Sequence, residues 1–256
     1  MTQNERLLYL IKYLLNESER YRDIDIPSDI TERKNLFRSL VNIRTPKAIS
    51  DEFIKIQDEY LQGEIAEKGI TDADTLLFAE NKISLWQGDI TTLKCGAIVN
   101  AANSAMLGCF VPCHKCIDNA IHTFSGVELR LECAEIMEKQ GLAEQTGKAK
   151  ITKSYNLPCD YILHTVGPIV GGRLTEKHCT LLASCYHSCL DLAERYGIKS
   201  VAFPCISTGE FHFPNEKAAA IAINTVREKL KTSTVERVIF NVFKDEDKRI
   251  YEKLLG

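Results

Sequence analysis

Three cysteines and a histidine crowd into one short stretch: Cys109, Cys113, His114 and Cys116 in Gly-Cys-Phe-Val-Pro-Cys-His-Lys-Cys, residues 108–116. Thiolate and imidazole are the preferred ligands of zinc. Four residues separate Cys109 from His114 and one separates His114 from Cys116, a spacing that can bring three donors around one ion on a loop. The residues alone leave three readings: a thiol-rich loop without metal, a closed structural zinc site with Cys113 as fourth ligand, or a three-ligand site with the open position that catalysis needs. Asp118 follows two residues after Cys116 and can orient a water, take its proton, or cap the next helix. His122 reads as a structural histidine bonding to a loop.

Three other segments carry polar groups just beyond apolar runs. Gly88-Asp89-Ile90-Thr91 puts a carboxylate where it can accept from an exocyclic amine, or merely close a turn. In Val99-Asn100-Ala101-Ala102-Asn103, small alanines admit a ligand close to the backbone, and asparagine amides can both donate to and accept from a diol. An asparagine-rich turn is the plainer alternative. Ile206-Ser207-Thr208-Gly209-Glu210-Phe211-His212-Phe213 offers hydroxyls and backbone N–H groups ahead of a helix, a nest suited to a diphosphate. Phe213 can stack on a sugar or fill the core, and His212 can meet phosphate or solvent.

The elements that must position these loops can be read from periodicity. Leu7, Leu8, Ile11, Leu14 and Leu15 recur at helical spacing. A second helix, capped by Ser28 or Asp29, carries Leu36, Phe37, Leu40 and Val41 and stops near Pro46; a third starts near Ser50. Residues 1–80 are thus expected to be a helical extension without chemical motif. From residue 81, strands are predicted at Ile83–Gln87, Ala97–Asn100, Tyr161–Val166, Ser200–Pro204 and Arg237–Val242. Helices are predicted from about Asp118, over Cys179–Tyr196 and over Glu216–Lys231. This alternation implies a three-layer α/β/α sheet in residues 81–256, with ligands at the carboxyl ends of the strands.

Composition narrows the setting. The 256 residues have a net charge of −3 and no basic excess, which argues against a nucleic-acid partner. The first residues lack a secretory h-region and no apolar run reaches membrane-span length, so a cytoplasmic protein with reduced thiols is expected. Cys95, Cys133, Cys159, Cys179, Cys185, Cys189 and Cys205 stand singly in apolar stretches and read as small core residues.

Gly-Asp-Ile-Thr, Val-Asn-Ala-Ala-Asn and Ile-Ser-Thr-Gly, in this order and each after a strand, resemble the macrodomain family of ADP-ribose-binding proteins. The resemblance runs from about residue 83 to the C-terminus, with further matches at Ile121-His122, His164–Pro168 and Val242–Asp247. It implies a mixed central sheet. It also implies that Asp89 and Ile90 hold the adenine, with Phe243 beside it. Asn103 and the Asn100–Ala102 backbone would surround the distal ribose, Ser207, Thr208, Gly209, Glu210 and Phe211 would wrap the diphosphate, and Phe213 would lie near the distal ribose. Common members have a glycine-rich stretch where this chain has its Cys/His loop. That loop, with the helical extension, looks like a zinc-dependent microbial subclass that removes ADP-ribose from proteins, with ligands mapping to Cys109, His114 and Cys116. Zinc would then activate a water or fix the ribose hydroxyls, with Asn103 and Asp118 as the catalytic pair acting on a carboxylate-linked ADP-ribosylated protein. Kinship also implies a lipoyl-carrier protein as target and a sirtuin-type ADP-ribosyltransferase as the opposing enzyme. A non-catalytic ADP-ribose reader and a deacetylase of O-acetyl-ADP-ribose are the competing readings.

Overall fold

The computed structural model describes residues 1–256. Three helices come first: α1 (Gln3–Asn16), α2 (Ile30–Ile43) and α3 (Asp51–Lys68). Thr2, Asp29 and Ser50 accept from backbone N–H groups of their first turns, each cap contributing about 1 kcal/mol. Leu7, Leu10, Ile11, Phe37, Leu40, Phe53 and Tyr60 bury their stripes against one another and give these helices a core of their own. Helix does not persist to residue 80 as expected. Gly69 ends α3 at positive φ, and β1 (Thr71–Asp72) follows.

The remaining chain alternates β2 (Ile83–Gln87), β3 (Leu93–Lys94), β4 (Ala97–Ala102), α4 (Ile117–Ser125), α5 (Val127–Gln140), β5 (Ala149–Lys153), β6 (Tyr161–Val166), α6 (Glu176–Arg195), β7 (Ser200–Phe203), α7 (Asn215–Leu230), β8 (Arg237–Val242) and α8 (Asp245–Leu255). The main sheet runs β2-β8-β7-β4-β6-β5. All its pairs are parallel except β5 with β6, so the sheet is mixed, as expected. β1 pairs only with β3, in a separate two-stranded ladder.

Parallel strands covered on both faces read as nearly continuous apolar runs, and Ala97–Ala102 and Tyr161–Val166 do so but for Asn100, His164 and Thr165. One face packs on α6, α7 and α8 through Tyr186, Leu190, Ala222 and Tyr251; the other packs on α4 and α5 through Ile121, Leu129 and Cys133. No helix is long and apolar enough to cross a membrane. Because β2, β4, β6, β7 and β8 run in one direction, the loops after them open at one edge of the sheet. The chain leaves β4 for neighbours on opposite sides, β6 and β7, and that is where such sheets form a ligand crevice.

Candidate active site

The loop leaving β4 carries the Cys/His cluster. The ligating atoms of Cys109, His114 and Cys116 all lie within 4.8 Å of one another, and all three residues are half-buried. Two sulfurs and an imidazole at that separation fit one zinc ion after small side-chain adjustments. The Cys116 thiol is pushed up to about 12, by burial first and the neighbouring Cys109 and Asp118 in addition. A bound divalent cation would reverse that preference. Cys113 does not join them. It sits at φ +52, its thiol lies 3.2 Å from Ser39 Oγ, and it donates to the Asn35 carbonyl at 3.4 Å. The four-ligand alternative loses its fourth donor to α2.

Asp118 lies under this loop and is 4 % exposed. It is not the cap of α4: that position is Cys116, whose sulfur accepts from Asn119 N at 3.4 Å. Asp118 Oδ1 accepts from Asn100 Nδ2 at 2.8 Å, and Oδ2 from Asn103 Nδ2 at 3.3 Å. The other Asn100 N–H meets His164 Nδ1 at 3.1 Å, and His164 Nε2 meets Thr152 Oγ1 at 2.9 Å. Thr152 donates onward to the Lys153 carbonyl, so His164 is neutral with its proton on Nε2. Burial pushes the Asp118 carboxyl up to about 6 against the Asn100 hydrogen bond, the Arg130 charge and the Asn103 hydrogen bond. Asn103 is not a free amide aimed at solvent. It spends one N–H on Asp118, the other on the Gly108 carbonyl, and its oxygen on Ala105 N.

His122 makes no hydrogen bond to a loop, contrary to the expectation from sequence. Neither buried ring nitrogen has a hydrogen-bond partner, Nε2 lying 3.6 Å from Asp118 Oδ1, and burial holds the ring's pKa well below the usual imidazole range. The loop passes directly over it: Gly108 has φ +80, and a Cβ there would meet the ring at 2.7 Å. His122, Cys133 and His164 also cluster, but both His164 nitrogens are already bonded, to Asn100 and Thr152, which leaves this trio one donor short.

The loop leaving β7 faces the first. Glu210 Oε1 lies 3.6 Å from His114 Nε2, so the two loops meet across the crevice. Ser207 and His212 adopt positive φ, and the N–H groups of Ser207, Gly209, Glu210 and Phe211 make no bond within the protein. Ser207 Oγ is buried and unpartnered, and a Cβ on Gly167 would lie 2.0 Å from it. This is an anion nest of free N–H groups with one orphaned hydroxyl. Thr208 closes its own turn by donating to the Cys205 carbonyl. Of the two roles its type allows, Phe213 takes the core one: it is 1 % exposed in the main core, with its N–H bonded to Ser207 O, and the face expected beside the distal ribose is covered.

At the far end, Asp89 accepts from Thr91 N and Thr91 Oγ1 through Oδ1, leaving Oδ2 to Lys68 at 3.0 Å. Burial works to raise this carboxyl, but the Thr91 hydroxyl and the Lys68 ammonium outweigh it and hold it below the usual range. Ile90 and Ala102 are buried, backbone and side chain alike. Phe243, 76 % exposed, is an open face beside β8. Lys68 comes from α3, so the helical extension contributes a charge to this end of the crevice that no motif announces.

The Macro domain family model matches residues 99–222. A protein-ADP-ribose hydrolase of Treponema medium is 54% identical over 261 residues, covering 100% of both chains. One from Staphylococcus aureus strain MSSA476 is 48% identical, covering 95% of this chain and 94% of its own. Among solved structures, a Trypanosoma brucei macrodomain in complex with ADP-ribose superposes with a TM-score of 0.66 at 30% identity, covering 86% of this chain and 95% of that one.

Proposed function

From the premise that this chain belongs to the protein-ADP-ribose hydrolases of the macrodomain family, we propose that it works at a zinc centre held by Cys109, His114 and Cys116, on ADP-ribose joined to a protein carboxylate. The observation that carries the zinc reading is the gathering of those three donors within 4.8 Å, on the loop that faces the anion nest. A zinc ion held by these three residues would supply a Lewis acid to the reaction.

The remaining work falls to the chain's own groups. Asp89 would accept from the adenine amine through Oδ2, displacing or sharing Lys68, while Phe243 covers the base. The free N–H groups of residues 207–211 and Ser207 Oγ would take the diphosphate, which leaves the distal ribose between the two loops. Asp118 Oδ2 would hold the proton released as water adds and the carboxylate leaves. Its fixed orientation, set by Asn100 and Asn103, and a pKa near neutrality suit that task. Asn103 would act by holding Asp118 and the loop carbonyl at Gly108. On the same kinship, a lipoyl-carrier protein modified by a sirtuin-type ADP-ribosyltransferase is the first substrate to test.

The deciding experiment pairs metal analysis with turnover of a carboxylate-linked mono-ADP-ribosylated protein. Purified protein should carry one zinc per chain, and His114→Ala and Cys116→Ala should lose both the metal and the release of ADP-ribose. Undiminished turnover after zinc is stripped would refute the metal reading.

A further inference from the structure

The loop from Leu107 to Cys116 has no helix or strand of its own, yet its backbone polar groups are held at close intervals by side chains. Arg130 Nε donates to the Leu107 carbonyl at 2.7 Å, and Asn119 Nδ2 donates to those of Val111 at 3.0 Å and Cys109 at 3.4 Å. Asn42 Oδ1 accepts from Cys113 N at 2.9 Å, and Arg38 Nη2 donates to the His114 carbonyl at 2.9 Å. Two of these anchors, Arg38 and Asn42, stand on α2. Arg38 also grips Asn119 Oδ1 with Nη2 and Nε, at 2.7 and 3.1 Å, and thereby orients the amide that holds Cys109 and Val111. Asn42 is buried and uses its Nδ2 on Thr123 of α4. Arg130 closes the circuit from the other side, donating to the Val41, Asn42 and Arg44 carbonyls at the end of α2.

We infer that α2 is a clamp that sets the affinity of the metal loop, with Arg38 and Asn42 as positioning residues. The inference rests on the zinc reading above for its ligand, but on these bonds for its geometry. A loop ordered at folding loses its conformational entropy then rather than at metal capture. Neither residue touches the adenine or diphosphate groups. Their loss should therefore weaken metal binding and leave recognition of free ADP-ribose unchanged. Partners that orient metal ligands from outside typically account for about 10–100-fold in metal affinity.

The test uses the full chain, with zinc alone as the probe. Arg38→Ala, Arg38→Lys and Asn42→Ala are compared with the unchanged protein by chelator competition, ADP-ribose calorimetry and backbone amide exchange. Arg38→Ala and Asn42→Ala should lower zinc affinity by about 10–100-fold with ADP-ribose affinity unaltered. Arg38→Lys should recover only part, because an ammonium cannot span the Asn119 oxygen and the His114 carbonyl as a planar fork does. The Cys113 amide should exchange faster in Asn42→Ala, and in Arg38→Ala the His114 amide, bonded within the loop to the Val111 carbonyl, should exchange faster as the loop loosens. Folded Arg38→Ala with zinc affinity equal to that of the unchanged protein overturns the clamp. Should Asn42→Ala not fold, the half-exposed Arg38 carries the test. If the unchanged protein takes up no zinc, the metal reading falls by itself; unaltered amide exchange in Arg38→Ala would then overturn the clamp as well.

Discussion

Replacing Asp118 with asparagine should slow turnover and shift the stability of the metal-free protein with pH, against the variant in acid and toward it near neutrality. The Asp118 carboxyl is almost fully buried, and burial raises it from an unfolded value of 3.8 to about 6. A raised carboxylate pKa disfavours the charged form in the folded state. The resulting penalty is absent below the unfolded value, grows as pH rises through 3.8, and is complete above the folded value. Linkage puts it at about 3 kcal/mol at pH 7 and about 0.5 kcal/mol at pH 4. Asparagine removes the charge but turns an N–H toward Asn103 or Asn100, whose own N–H groups now meet the carboxylate, a loss of about 1–3 kcal/mol. That loss does not depend on pH. The stability difference between variant and unchanged protein should therefore move by about 2 kcal/mol in favour of the variant between pH 4 and pH 7. Urea denaturation of chelator-treated protein at the two pH values measures it. A difference that stays constant would show that burial does not load this carboxyl and would remove the physical basis for its role. Turnover of the metal-loaded variant should fall by about 10²–10⁴-fold.

Three further outcomes follow from the same geometry. His164, held down to about 3 by burial from a reference of 6.5, contributes stability that is full above pH 6.5 and lost as pH falls toward 3. Between pH 7 and pH 5 the unchanged protein should lose about 2 kcal/mol more than His164→Gln in urea denaturation. Phe213→Ala should cost about 3–5 kcal/mol of stability as a core truncation, whereas Phe243→Ala should change stability by less than about 0.5 kcal/mol and weaken ADP-ribose in a calorimetric titration. Gly108→Ala, at positive φ and against the His122 ring, should lower the melting temperature and reduce zinc content together, by metal analysis of the folded fraction.

The parallel strands were legible because doubly covered strands are nearly continuous apolar runs, and the site loops because they follow those strands directly. β5 (Ala-Lys-Ile-Thr-Lys) carries little strand signal because it is a half-exposed edge strand, and α5 little helical signal because its charged sequence buries few apolar positions. Phe213 showed the limit of motif reading: its type suits both a sugar face and a core, and only the turn at residues 207–213 decides between them. The α2 contacts were illegible for a different reason. Asn35, Arg38, Ser39 and Asn42 recur at i, i+3, i+4 and i+7, a polar stripe that ordinarily faces water. Here the stripe faces a loop whose backbone needs partners as water would, and no local pattern distinguishes the two environments.

Gln57 gives this packing a practical side. Gly126 brings no side chain to the start of α5, so Val127 N donates instead to Gln57 Oε1, on a helix seventy residues earlier in the chain. Chain order and mechanical independence therefore part company near residue 80. A truncated form beginning there would expose Val127 and Phe124 and uncap a helix in the same cut. Transplanting the Cys/His segment into another member of the family would face the mirror-image difficulty, for the donors would arrive without the scaffold that keeps them in register.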